Sequence, residues 1–142
     1  SDFFDKLLES ESASERVLMD TEHFLGFVPF AARWPIEIQL LPKRQIQNLT
    51  QMTEAETAEF AYLYQKLLGS LDKLYDSPTP YIAAIHQAPK GDQNIRLMLK
   101  ITSPRRAANK LKYLAGSESA MGAFITDTSP EAIAELLRGA LD

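Results

Sequence analysis

Apolar and polar residues alternate along residues 94–101 in the pattern of a β-strand. Successive side chains of a strand point to opposite faces, so one face of this strand is predicted to be wholly apolar. The other face carries two cations around a thioether, from Arg96, Met98 and Lys100. This second face meets either water, as in a sheet with one solvated side, or a functional site.

Other apolar runs have the length and spacing of strands. Residues 16–20, 23–28 and 36–42 follow one another closely, and their short connections predict an antiparallel meander. Residues 81–89 form a further run, which the loop at 90–93 separates from the strand described above. We interpret these last two runs as a second pair of neighbouring strands.

Three segments repeat their apolar residues at helical spacing. The first ten residues predict a short helix, and a polar, serine-rich connector follows, so residues 1–13 are assigned to an N-terminal helix and connector. Thr53 and Glu56 have the form of a capping box and begin a long helix that we expect to end near Asp76. Ser129, followed by a proline, has the form of an N-cap for the last helix.

These elements predict an α+β fold. It consists of an antiparallel sheet of about five strands with one long and two shorter helices against one face. A chain of 142 residues fits one domain, so we assign residues 1–142 to a single domain. Residues 103–128 are expected to be mostly irregular, and a loop of this length is more often functional or poorly ordered than idle.

Composition excludes several classes of function. The net charge of -4 gives no general attraction to nucleic acid or to an anionic membrane, although residues 90–112 are locally basic. No run approaches the roughly 18 to 20 apolar residues of a membrane span, and no leader opens the chain, so we expect no membrane partner and a cytoplasmic location. The absence of cysteine removes disulfides, thiolate catalysis and thiolate metal sites.

No catalytic motif is visible from the residues alone. There is no glycine-rich phosphate loop, and the two histidines do not suggest a nucleophile–base arrangement. We interpret His23, in an apolar strand, as a structural, hydrogen-bonded residue. His86 lies at a strand end, where it is either a polar end residue or part of a site, but one imidazole does not make a metal site. Residues 110–122 combine cations, an aromatic ring, serines and a glutamate, which suits either a sugar phosphate or a solvated loop.

Four stretches together resemble a known family. They are WPIEIQLLPKRQI at 34–46, HQAP at 86–89, SPRR at 103–106 and KLKYLAGSESAMGAF at 110–124. In this order they are similar to the C-terminal half of galactose-1-phosphate uridylyltransferase, and the resemblance covers about residues 14–142. It implies a histidine-triad-like fold. It also implies transfer of a uridylyl group between UDP-glucose and galactose 1-phosphate by way of a uridylylated histidine.

The chain departs from that family in two ways. The family's nucleophile belongs to a His-Pro-His motif of the N-terminal half, which this sequence lacks, so we expect no covalent intermediate on this chain alone. Arg96 and Met98 stand where the family commonly has two histidines that bind a structural metal together with the equivalent of His86. We therefore expect no metal and no other cofactor. Arg96 is instead expected to pair with a carboxylate and to bridge to His86.

The resemblance also implies a substrate-binding loop. Its family positions fall on Lys112, Tyr113, Ala115, Ser117 and Glu118. Lys112 is expected to meet a phosphate, and Glu118 is expected to accept hydrogen bonds from hexose hydroxyls. In dimeric members this loop reaches the partner's active site, so we expect a homodimer that binds UDP-hexose or hexose 1-phosphate.

Three functions are therefore compared. The first is the C-terminal, substrate-loop-bearing portion of a UDP-glucose–hexose-1-phosphate uridylyltransferase of galactose metabolism. This portion is either one piece of a split enzyme, with a separate N-terminal half that carries His-Pro-His, or an excised domain. The second is a metal-free, non-catalytic relative that binds nucleotide sugars or phosphate. The third is an interaction module. Association with a chain that carries His-Pro-His favours the first function, and UDP-hexose binding without turnover favours the second.

Overall fold

The computed structural model describes residues 3–142, so the first two residues of the predicted helix and connector at 1–13 lie outside it. In the described range the α-helices are α1 (Phe3–Ser12), α2 (Glu54–Lys73), α3 (Gly116–Met121) and α4 (Pro130–Leu141). The strands are β1 (Val17–Asp20), β2 (Phe24–Phe27), β3 (Ile36–Pro42), β4 (Ile82–His86), β5 (Met98–Ser103), β6 (Arg105–Ala107) and β7 (Lys110–Leu111). None of the helices within residues 3–142 is long and apolar enough to cross a membrane.

The first five strands form one antiparallel sheet in the order β1-β2-β3-β5-β4. The predicted meander is confirmed by the pairing of β1 with β2 and of β2 with β3. The predicted second pair is confirmed as well, because β4 pairs with β5. β5 also pairs with β3, with Ile38 opposite Ile101 at the centre of the sheet, so the fold is α+β as expected.

Both faces of the sheet are covered, which corrects the expectation of helices on one face only. Helices α2 and α4 pack on the first face, with a core that includes Phe24, Ile38, Leu67, Leu99 and Leu137. Helix α1 packs on the opposite face through Phe4, Leu7 and Leu8, which meet Leu25, Phe27 and Leu41. Strand alternation produces this division, because residues next to each other in a strand enter different cores.

The helix ends follow the expected capping residues. The Thr53 hydroxyl accepts the Glu56 N–H, and the Glu56 carboxylate accepts the Thr53 N–H at 2.8 Å, so the capping box is confirmed. The Ser129 hydroxyl accepts the Ala132 N–H in the same way. α2 ends at Lys73, three residues before the expected Asp76, and Asp76 has a φ of 50°, a left-handed conformation that does not continue a helix.

Helix α1 continues through Ser12, into the stretch that was expected to be a connector. Its last turn is held in place, since the Ser12 hydroxyl donates to the Glu9 carbonyl at 3.0 Å. Glu11 is buried and binds the Arg16 guanidinium at 2.9 Å. This polar segment is therefore helical because its side chains bond locally, which hydrophobic spacing does not reveal.

Strand β5 begins at Met98, so residues 94–97 are not part of the ladder, contrary to expectation. β3 ends at Pro42, and residues 94–97 lie against the segment that follows it, where the Leu97 N–H donates to the Ile46 carbonyl at 2.6 Å. Residues 103–128 contain β6, β7 and α3, which corrects the expectation of a mostly irregular segment.

Candidate functional site

A hairpin carries the start of the candidate loop. β6 and β7 pair antiparallel, with Arg105 opposite Leu111, and the chain then runs into Lys112. The Lys112 N–H donates to the Pro104 carbonyl at 2.6 Å. This bond fixes the backbone from which the Lys112 side chain extends.

Helix α3 follows, and the buried Glu118 carboxylate organises its beginning. One carboxylate oxygen accepts the Ala115 N–H at 2.9 Å, and the other accepts the Ile125 N–H at 3.3 Å. Gly122 ends the helix with a φ of 65°, which glycine adopts at little cost. Glu118 thus connects the chain before the helix to the chain after it.

Lys112 and Glu118 form an ion pair inside the loop. Their side chains are 8% and 2% exposed, and 2.5 Å separates Lys112 Nζ from Glu118 Oε2. The ammonium also donates to the carbonyls of Ile125 at 2.6 Å and Arg33 at 3.2 Å, so three oxygens surround its three donors. The hydrogen bond from Lys112, with that from the Ala115 N–H, lowers the pKa of Glu118, which is therefore ionised at neutral pH.

These residues border a pocket of about 180 Å³. Four of the five predicted site residues line it, with three residues that sequence reasoning did not place there; together they are Arg106, Lys112, Tyr113, Ala115, Glu118, Ile125 and Asp127. Tyr113 is 85% exposed and stands at its edge. The structure does not place Ser117 in this lining. Its hydroxyl oxygen is buried, with no hydrogen-bond partner among residues 3–142.

The pocket is lined by two cations, Arg106 and Lys112, and by two carboxylates, Glu118 and Asp127. Arg106 binds Asp127 at one side, and this contact lowers the pKa of Asp127. Cations can donate hydrogen bonds to phosphate, and carboxylates can accept them from hydroxyl groups. A wider groove of about 740 Å³ beside α4 is less suitable for phosphate, because Glu15, Glu131 and Glu135 line it with Arg138.

An aromatic platform supports the loop from below, and sequence reasoning missed it. The Phe124 ring lies 5.3 Å from the Arg33 guanidinium and 5.7 Å from Lys112 Nζ. The Trp34 ring lies 6.5 Å from the same ring. Arg33, Trp34 and a proline come just before β3. This Arg-Trp-Pro stretch at a strand start was the feature of the sequence that could have indicated the platform.

The two histidines have different surroundings. His23 is confirmed as a hydrogen-bonded residue. Its ring nitrogen Nδ1 contacts the Glu59 carboxylate, and its backbone N–H donates to the same carboxylate at 3.3 Å. The hydrogen bond that the His23 ring donates to the Glu59 carboxylate raises the pKa of His23. His86 is exposed at the end of edge strand β4, where it stands opposite Met98.

Arg96 is the centre of a buried polar cluster and is 2% exposed. Its Nε donates to the Gln45 side chain and its Nη2 to the Asp5 carboxylate, each at 2.8 Å. Its Nη1 donates to the carbonyls of Pro42 at 3.3 Å and Lys43 at 3.2 Å. Arg96, which precedes β5, is therefore enclosed by protein, and the predicted carboxylate partner is confirmed as Asp5 of α1.

This cluster does not fit the family's structural metal. Arg96 offers no lone pair, and Met98 is a soft ligand with low affinity for zinc or divalent iron. Within residues 3–142 no group of three or more His, Cys, Asp or Glu side chains could hold a metal ion. The expected bridge from Arg96 to His86 stays a prediction.

Fold comparison identifies the class of protein. The structure superposes on a zinc-bound histidine triad family protein from Mycobacterium smegmatis with a TM-score of 0.64. The identity is 22%, over 99% of this chain and 93% of the other, so this similarity concerns the fold alone. The five-stranded antiparallel sheet and its helices thus form a histidine-triad-like fold.

Sequence comparison identifies the family. Residues 2–139 match the family described as galactose-1-phosphate uridyl transferase, C-terminal domain, and the chain belongs to this family. The galactose-1-phosphate uridylyltransferase of Thermotoga maritima is 36% identical over 137 residues, which are 94% of this chain and 43% of that protein. A solved uridylyltransferase structure superposes with a TM-score of 0.90 at 34% identity, over 99% of this chain and 45% of the other. The chain therefore spans less than half the length of these relatives.

Proposed function

We propose that the chain is the substrate-loop-bearing, C-terminal part of a UDP-glucose–hexose-1-phosphate uridylyltransferase. The observation that carries the proposal is the pocket in which Lys112 and Glu118 are held side by side on the loop. In this proposal Lys112 binds a phosphate, Glu118 accepts from hexose hydroxyls, and the other predicted residues shape the pocket. The nucleophilic histidine belongs to the N-terminal half of the enzyme, which these 142 residues do not include.

The ion pair explains how an anionic substrate is recognised. A phosphate that enters the pocket offers Lys112 oxygens in place of the Glu118 carboxylate, and Glu118 is then free to accept from hydroxyls. The exposed apolar side chains of Tyr113 and Ile125, which line the pocket, support a protein surface that closes over the substrate. We propose that a second copy of the subunit supplies that surface.

The proposal predicts uridylyl transfer only when the two halves are combined. The chain alone, incubated with labelled UDP-glucose, is expected to form no uridylylated adduct, because neither histidine lies in a His-Pro-His context. Adding a separately expressed N-terminal half of a relative that carries His-Pro-His is expected to give transfer to galactose 1-phosphate. The N-terminal half alone is the control. An adduct on His23 or His86 of the lone chain would contradict the prediction.

We also propose that this chain works without a structural metal. Elemental analysis of the purified chain is expected to find less than one zinc or iron per ten chains, an order-of-magnitude limit for a site with one imidazole ligand. The double variant Arg96→His, Met98→His is expected to bind more metal than the wild type, which shows that the assay detects a gained site. One tightly held metal per wild-type chain would contradict this proposal.

A non-catalytic nucleotide-sugar or phosphate-binding relative is the second candidate. The loss of the family's metal ligands at Arg96 and Met98 favours it, because a chain that no longer supports catalysis can keep its binding loop. Calorimetry separates the candidates: this relative binds UDP-glucose but gives no transfer with any N-terminal half. Binding of neither UDP-glucose nor galactose 1-phosphate would leave an interaction module.

A further inference from the structure

We propose that Glu37, a sheet residue outside the pocket, is a positioning residue for the substrate-binding lysine. Glu37 accepts hydrogen bonds from the backbone at Arg33 and Trp34, and the carbonyl of the peptide unit between these two residues accepts from Lys112. We call this arrangement the clamp. The expected effect of Glu37 on substrate binding rests on the proposed function. The clamp itself can be measured without substrate.

The first observation is the environment of Glu37. Its side chain is 3% exposed, and its Oε1 lies 2.9 Å from Lys100 Nζ. Its Oε2 accepts the Arg33 N–H at 2.8 Å and the Trp34 N–H at 3.4 Å. A buried carboxylate is costly unless it is paired and hydrogen-bonded, so Glu37 holds the Arg33 amide by a short bond and the Trp34 amide by a longer one.

The second observation joins this carboxylate to the loop. The Arg33 carbonyl accepts a hydrogen bond from Lys112 Nζ at 3.2 Å. This carbonyl and the Trp34 N–H belong to one planar, trans peptide unit, and the two groups of such a unit point in opposite directions. The N–H side therefore faces Glu37 while the carbonyl side faces Lys112. Fixing one side fixes the direction of the other.

The third observation shows that the same corner carries the platform below the pocket. Phe124, from the segment after α3, packs against Trp34 and receives the cations of Arg33 and Lys112 over its ring. A displacement of the Arg33–Trp34 unit would thus move both an acceptor and an aromatic support of Lys112. In this proposal the ion pair of Lys112 with Glu118 depends on that support. Glu37 consequently influences the pocket without lining it.

The test compares Glu37→Gln with Glu56→Gln. Glu56 is an equally buried carboxylate, 3% exposed, that pairs with Arg44 at the start of α2 and does not line the pocket. The glutamine at 37 removes the charge that holds Lys100 and weakens the acceptor for the peptide unit. If that variant does not fold, the double variant Glu37→Gln, Lys100→Met removes both charges and leaves none unpaired.

Two measurements report on the loop that carries Lys112 and Glu118 and do not depend on a change in overall stability. Hydrogen exchange of the Ala115 and Ile125 amides, which Glu118 holds, is expected to accelerate about ten-fold in Glu37→Gln. The ¹³C-detected titration of the Glu118 carboxyl is expected to move toward its ordinary pKa, because Lys112 is less firmly held. Glu56→Gln is expected to change neither.

Binding of galactose 1-phosphate is measured in parallel and is expected to weaken several-fold in Glu37→Gln alone, in line with lost preorganisation. Unchanged exchange and titration in the Glu37 variants would overturn the clamp, as would equal changes in Glu56→Gln. A wild type that does not bind galactose 1-phosphate contradicts the proposed function instead. The exchange and titration results still decide the clamp in that case.

Discussion

Replacing Arg96 by methionine is expected to lower the free energy of unfolding by about 3 kcal/mol. The substitution keeps a long apolar stem but removes every donor of the guanidinium. It leaves the buried Pro42 carbonyl and the partly buried Gln45 oxygen and Lys43 carbonyl without their Arg96 donor. Each buried acceptor that loses its donor costs about 1 to 3 kcal/mol, and the half-exposed Asp5 adds little because water replaces its partner.

Urea unfolding measures this loss, and the melting temperature is expected to fall by roughly 10 °C for a chain of this size. Arg96→Lys keeps the positive charge but not the planar group of donors. A loss of unfolding free energy between those of the wild type and Arg96→Met is therefore expected. Arg106→Met is the control, because Arg106 and its partner Asp127 are both exposed and such pairs contribute about 0 to 1 kcal/mol. Equal losses at both positions would show that the buried cluster has no special role.

The position of Arg96 shows what the sequence could predict. Alternation indicated that Arg96 leaves the apolar face, and the chemistry of a guanidinium indicated a carboxylate partner. The partner is 91 residues away on α1, however, and the cluster depends on the placement of that helix against the second face. Such a placement arises from packing of distant segments, which local periodicity does not encode.

The loop shows a different limit. Its motif pointed to Lys112 and Glu118, and both line the pocket. The short elements within residues 103–128 were missed because β7 has two residues and because the N-cap residue of α3, Ala115, offers no side-chain cap. The helix is held instead by Glu118, three residues later, and by Gly122 at its end. The feature of the sequence that could have indicated α3 was a glutamate followed four residues later by a glycine.

Lys112→Ala is expected to weaken binding of UDP-glucose by ten-fold or more, since a charge-assisted hydrogen bond to phosphate is worth roughly 1.5 to 3 kcal/mol. The loss should shrink as salt rises, because screening weakens the attraction in the wild type. Glu118→Ala is expected to weaken binding too, with less dependence on salt, because the substrate contacts proposed for Glu118 are to neutral hydroxyls. Calorimetric titration at several salt concentrations, at protein concentrations that favour a dimer, measures both.

The internal ion pair decides how these results are interpreted. Because Lys112 and Glu118 bind each other, either substitution also disturbs the loop, so a purely structural role predicts the same loss at every salt concentration for both variants. A direct phosphate contact predicts salt dependence for Lys112→Ala beyond that of Lys66→Ala. Lys66 lies on the exposed side of α2 and provides the same change of charge outside the pocket. Affinities that stay at the wild-type value in both loop variants would remove Lys112 and Glu118 from the binding site.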